Sequence, residues 1–261
     1  MHGGAYATQT SKSHDMYLKM WTVKLDAPIL SVDYSLSPEA PFPRAIEEVF
    51  YAYCWALKNV KLLGSTGENI VFVGDSAGGN IATACLIRCI EMGVPLPKGI
   101  LNICSVLNHG LKIIPSRFFS LIDGILPFVF VFHLLKSYGN ADHYVLQEIK
   151  TEKCQQTISY SVRLDDQGRR ELLKKELNFR IIRSHLLSPF ETPEEILAQF
   201  PPTAFMTSKF DALLDDNVEF AKKLKRLNVK TSLNVAEGLS HGFIYFTAVR
   251  FDSNENPKIF H

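Results

Sequence analysis

The sequence is short of the features that mark several large classes of protein. Neither sign of charge is in excess: 28 Lys plus Arg stand against 27 Asp plus Glu, a formal net charge of +1. That balance leaves no electrostatic footprint for nucleic acid and no acidic tail. Cysteines number 5 in 261 residues, an odd count scattered as Cys54, Cys85, Cys89, Cys104 and Cys154. No zinc-ligand spacing or disulfide framework appears among them. The four-residue step from Cys85 to Cys89 makes apolar neighbours on a helix, the usage of reduced, mostly buried thiols in a cytosolic protein. The longest apolar run, Gly124 to Leu135, is broken by Pro127 and bounded by Asp123. It is too short to span a bilayer. Met1-His2-Gly3-Gly4 lacks the basic region and apolar core of a signal peptide. There is no internal repeat and no low-complexity linker.

What is present is the composition of an ordinary globular domain, 46% hydrophobic and 21% charged, in a chain long enough to bury a core without disulfides or metal. Short apolar runs alternate with helical patterns. Pro28 to Val32, Asn69 to Val73, Gly99 to Cys104, Thr203 to Ser208 and Thr231 to Ala236 read as strands. Pro43 opens a helix with Ala45, Ile46, Val49, Phe50, Tyr53, Cys54 and Leu57 at three-to-four spacing. Further helices are expected over Ala77 to Met92 and from about Asp215 to Leu227. The alternation predicts an α/β fold, a mostly parallel sheet with helices on both faces. It breaks down between Ser105 and Pro201. That stretch starts apolar and Phe-rich (Phe118, Phe119, Phe128, Phe130, Phe132) and turns charged from Asp165 to Arg183. One domain over 1–261 is therefore expected, with a helical insertion or lid at about 105–200; the phenylalanines suit a lid and ordinary core packing equally.

The sharpest chemical signal is Gly74-Asp75-Ser76-Ala77-Gly78-Gly79-Asn80. A Gly-x-Ser-x-Gly turn directly between a strand and a helix is where a nucleophilic serine projects above a sheet. The following helix points amide groups and its positive dipole end at a developing anion. A serine hydroxyl needs a base and a group to orient that base. His241 follows the fifth predicted strand and Asp211 the fourth, so the chain order is serine, acid, histidine. All three fall at strand carboxyl ends, where open α/β sheets bind ligands. His14, His109, His133, His143 and His185 lack that context. Asp215 and Asp216 are fallback acids that read better as helix N-caps. Oxyanion donors are expected from His2-Gly3-Gly4-Ala5 and from the N–H of Ala77.

Four motifs resemble the hormone-sensitive lipase family of α/β-hydrolases: His2-Gly3-Gly4-Ala5, Asp33-Tyr34-Ser35-Leu36-Ser37-Pro38-Glu39, Gly74 to Asn80, and Ser240-His241-Gly242-Phe243. The run Gln9 to His14, the stretch on to Glu68, and Asp211 to Asp216 look most like the animal members. The resemblance implies an α/β-hydrolase fold and cleavage of acylglycerols, cholesteryl esters and similar lipid esters through an acyl-serine. In this reading Ser76 is the nucleophile, Asp211 the acid and His241 the base. Gly3, Gly4 and Ala77 line the oxyanion hole, and His2, Asp75 and Glu39 support the site. No metal or organic cofactor is required. The implied setting is the cytosol, with access to lipid-droplet surfaces. Three departures from the family pattern stand out. Ala5 replaces a frequent third glycine, no strands precede His2, and no long helix closes the chain after His241. The chain is accordingly expected to be truncated at both ends, with a sheet incomplete at its N-terminal edge. A short-chain carboxylesterase or deacetylase, and a truncated form that binds without catalysing, are the alternative readings.

Overall fold

The computed structural model describes residues 1–109, 115–121, 127, 136–139 and 184–245. Four of the five predicted strands form: β1 (Val71–Asp75), β2 (Gly99–Ile103), β3 (Thr203–Phe210) and β4 (Thr231–Ser240). They pair in parallel, in chain order, as one sheet. Val71 sits opposite Gly99, Ile100 opposite Thr203, and Thr203 opposite Thr231. Helices α1 (Asp15–Leu25) and α2 (Arg44–Lys58) precede β1. Parallel neighbours need crossovers, and α3 (Ala77–Glu91) lies between β1 and β2, α4 (Glu194–Leu197) between β2 and β3, and α5 (Leu214–Arg226) between β3 and β4.

Strand side chains alternate between two faces, and the core divides accordingly. Phe72, Ile100 and Phe205 join the larger cluster with α2, α3 and α5. Val73, Leu101, Ile103 and Met206 join a smaller one beneath Tyr17, Leu18 and Trp21 of α1. Helix α3 is the centre of the larger cluster. Gly78, Gly79, Ala82, Ala84 and Cys85 are buried along it, and such small residues let the sheet and α2 approach closely from opposite sides. Between them Ile81, Leu86 and Ile87 are fully enclosed, each contributing about 1.5–3 kcal/mol by burial. Cys85 and Cys89 lie in this core, as their spacing predicted.

Two expectations fail. Pro28 to Val32 is not a strand; it pairs with no strand of the sheet, and Ile29 and Leu30 are exposed. A strand exists only through a partner's amides and carbonyls. Instead Ile29 to Val32 and Val71 to Val73 of β1 both line a cavity of about 570 Å³. Asp215 and Asp216 are not N-caps either. They stand inside the first turn of α5, where they suit the helix dipole, and their carboxylates turn to the loop after β2. Asp215 accepts the Ser116 N–H at 2.8 Å, and Asp216 pairs with Arg117 at 3.0 Å. Of the expected insertion, Asp165 to Arg183 and Phe128, Phe130 and Phe132 lie outside the described residues. Phe119 packs edge-on against Phe210, with ring centroids 5.9 Å apart.

Candidate active site

The carboxyl ends of β1, β3 and β4 converge on one point. At the first, the chain turns from β1 into α3 through Ser76, whose φ of 53° and ψ of −120° are strained for a residue with a Cβ. The strain is held by neighbours. The Ser76 N–H donates to the Ile103 carbonyl at 2.8 Å, and the Ser76 carbonyl accepts from Val106 at 3.2 Å. The flanking glycines are steric requirements: a Cβ at Gly74 would collide with the Gly78 carbonyl, and one at Gly78 with the carbonyls of Met1 and His2.

His241, on the loop after β4, places Nε2 3.1 Å from the Ser76 hydroxyl. Its Nδ1 is 3.0 Å from Oδ1 of Asp211, at the end of β3. The partners are 165 and 30 residues apart in the chain. Asp211 is fully enclosed, which by itself raises its pKa. The charge and hydrogen bond of His241, the Cys104 thiol and the Leu213 N–H outweigh that burial and hold the carboxyl below its ordinary range. Cys104, Asp211 and His241 bring a thiol, a carboxylate and an imidazole within 4.8 Å of one another. That set has the chemistry for a soft cation, but the imidazole and carboxylate are already bonded to each other.

Next to Ser76 the first residues of the chain make a tight turn. Gly4, Ala5 and Tyr6 all have positive φ, at 110°, 52° and 65°. The Gly4 carbonyl accepts the amides of Ala7 and Thr8 at 3.1 and 2.9 Å. A side chain at Gly4 would strike the Thr8 carbonyl. Gly3 departs from expectation. Its N–H donates to Asp75 Oδ1 at 3.0 Å and so is not available to an oxyanion. Among the described residues, the amides of Gly4, Ala5 and Ala77 donate to no protein acceptor.

The supporting residues divide. His2 is buried, stacks on Tyr34 with centroids 4.2 Å apart, and directs Nδ1 at the Gly3 carbonyl at 2.8 Å. Burial lowers its pKa, which suits a neutral ring that shapes the turn. Asp75 is buried against that same turn. Glu39 is exposed and makes no hydrogen bond or ion pair among the described residues. Glu48 holds that segment instead, accepting the Ser35 amide at 2.7 Å and its hydroxyl at 2.9 Å. Three residues of the site region had no site role assigned from the sequence. His14 and Tyr245 meet Asp75, and Asn80 anchors α3 through the carbonyls of Val106 and Leu187, both at 2.9 Å. His14 lies within the singled-out Gln9 to His14 run, and Asn80 closes the serine motif, so both carried a signal. Tyr245 carried none.

A parallel sheet with a strained serine turn after one strand and an acid and a histidine after two others defines the α/β-hydrolase class. A family model described as alpha/beta hydrolase fold matches residues 1–117 and 141–245, and the chain belongs to that family. Within it, the chain is similar to hormone-sensitive lipase: it is 30% identical to the Bos taurus protein over 95% of this chain and 50% of that one. It thus spans about half the length of this curated relative. Mus musculus arylacetamide deacetylase is 26% identical, over 96% of this chain and 69% of its own. Among solved structures, the hyperthermophilic esterase of Pyrobaculum calidifontis superimposes with a TM-score of 0.75 at 25% identity, covering 96% of this chain and 70% of that one. Among the described residues no helix is long and apolar enough to cross a membrane.

Proposed function

We propose that the chain hydrolyses carboxylic esters through a covalent acyl-serine. The observation that carries this is the continuous relay from Ser76 Oγ to His241 Nε2 and from His241 Nδ1 to Asp211, at 3.1 and 3.0 Å. His241 takes the hydroxyl proton as Ser76 attacks the ester carbonyl, then returns it to the departing alcohol. Asp211 fixes the imidazole tautomer and stabilises the imidazolium that forms. The negative charge on the carbonyl oxygen falls to the amides of Gly4, Ala5 and Ala77, with Gly3 displaced from that role by its bond to Asp75. Water then attacks the acyl-enzyme by the same proton path.

The substrates we assign are lipid esters, acylglycerols and cholesteryl esters among them, met in the cytosol at lipid-droplet surfaces. The similarity to hormone-sensitive lipase supports this. Short-chain esterase activity is the second reading, favoured by the similarity to a deacetylase over nearly the whole chain. Fluorophosphonate labelling of the purified chain, with Ser76→Ala beside it, tests the chemistry. Labelling lost in the variant is the expected result, and no labelling of folded protein overturns it. Rates on p-nitrophenyl esters of increasing acyl length then separate the substrates: activity that collapses beyond butyrate selects the short-chain reading. Floating the labelled protein with purified lipid droplets tests the location.

A further inference from the structure

Beside the nucleophile lies a second cluster of titratable groups that the Ser76–His241–Asp211 relay does not use. Asp75 is buried, and both its oxygens are bound. Oδ1 accepts the Gly3 N–H at 3.0 Å and Oδ2 accepts the Tyr245 hydroxyl at 2.5 Å. His14, also buried, closes the cluster. Its Nε2 lies 2.8 Å from the Tyr245 oxygen, and 3.2 Å from both Asp75 Oδ1 and the Gly3 nitrogen. The other ring nitrogen faces the Thr10 carbonyl at 3.2 Å and the Ser13 hydroxyl at 3.1 Å, which fixes the ring in its plane. Tyr17 and Tyr245 stand edge-on to it, at centroid distances of 5.6 and 5.1 Å. Burial works against the Asp75 charge, and the bonds from His14 and Tyr245 more than offset it, so its pKa stays below the ordinary carboxylate range.

The cluster joins pieces that are distant in the chain. Gly3 opens the turn carrying the Gly4 and Ala5 amides. Asp75 immediately precedes the nucleophile, and Tyr245 follows His241 by one helical turn. Its bonds span 72, 170 and 231 residues. A buried carboxylate with fixed donors on each oxygen tolerates little movement, because losing any one donor leaves charge unsatisfied. Oxyanion donors, in turn, act only when held close to the developing charge.

We propose that His14, Asp75 and Tyr245 are positioning residues that lock the oxyanion turn, the serine turn and the histidine loop into one catalytic geometry, acting through Gly3. This rests on the hydrolase reading above. None of the three touches the reacting atoms, so weakening the cluster lowers kcat and leaves KM nearly unchanged.

The test uses Tyr245→Phe, His14→Gln and the double variant, each in the full chain. Amide hydrogen exchange in a peptide covering residues 2–8 is expected to quicken about tenfold or more in Tyr245→Phe, as local opening of the turn becomes easier. On an ester substrate, kcat is expected to fall about 10- to 100-fold with KM within about twofold, a fraction of what outright loss of an oxyanion donor does. The double variant is expected to be no slower than the worse single one, since both act on the same turn. Unchanged exchange at residues 2–8 overturns the proposal, as does a loss carried by KM or matched by loss of folded protein. If the parent chain fails to react with fluorophosphonate, the hydrolase reading falls, and the exchange measurement still decides whether the cluster holds the turn.

Discussion

Replacing Asp211 with Asn removes one charge and almost no volume, and the surroundings of Asp211 determine how the site responds. Oδ1 accepts from two donors, His241 Nδ1 at 3.0 Å and the Leu213 N–H at 2.8 Å. The backbone donor cannot reverse, so the side-chain amide introduced by Asp211→Asn must keep its oxygen where Oδ1 was. His241 therefore keeps the tautomer that leaves Nε2 free to accept the serine proton. The variant loses the attraction between carboxylate and imidazolium in the transition state. With the charges about 4 Å apart and an effective dielectric constant of about 20, that attraction is about 4 kcal/mol. At 1.36 kcal/mol per decade, Asp211→Asn is expected to lower kcat about 10³-fold. Asp211→Ala, which frees the imidazole to rotate, is expected to lose about tenfold more. Ester hydrolysis normalised to folded protein, with KM measured alongside, checks both. A loss below about tenfold in Asp211→Asn would refute the assignment of Asp211 as the charged partner. Equal losses in the two variants would refute the pinning by Leu213.

Three further outcomes rest on contacts around the site. Gly4→Ala must relieve a clash with the Thr8 carbonyl at a φ of 110°; shifting that turn is expected to lower kcat/KM by about 10²–10³, read from initial rates. Asn80→Ala removes two buried hydrogen bonds to Val106 and Leu187 and is expected to destabilise the chain by about 2–4 kcal/mol, read from urea unfolding. Asp75 has a folded pKa depressed below 3.8. Its contribution to stability is thus full above that value and lost as pH falls through the folded pKa. Asp75→Asn is expected to flatten the dependence of Tm on pH below about pH 4, and a parallel acid limb in both proteins would contradict the depressed pKa.

The serine turn, the base and the acid were legible because each needs a short local pattern: glycines where a Cβ would collide, or a polar residue just past an apolar strand. The strands β1 to β4 were legible for the same reason, as apolar runs bounded by turn residues. What was hidden depends on position in space. Pro28 to Val32 has a strand's composition, but composition does not supply the neighbour that a strand requires. Nothing in His2-Gly3-Gly4-Ala5 says which amide faces the site, since that is set by a carboxylate 72 residues away. Tyr245 sits where a helix begins after His241, and its importance exists only once Asp75 and His14 are folded against it. Asp215 and Asp216 had the right residue type for caps, and Ser116 and Arg117, from another loop, took their carboxylates.

Strands β2 and β3 are immediate neighbours in register, Ile103 beside Met206, although roughly 100 residues of chain separate them. Closing such an excursion costs only about 0.6 kcal/mol more for each doubling of its length. The two ends of the excursion are fixed by the sheet, and Ser76, Asp211 and His241 all attach to strand ends that it does not contain. The excursion also carries anchors of the scaffold, the Val106 and Leu187 carbonyls on Asn80 and Ser116 and Arg117 on Asp215 and Asp216, so a change of length is cheap only where it leaves these in place.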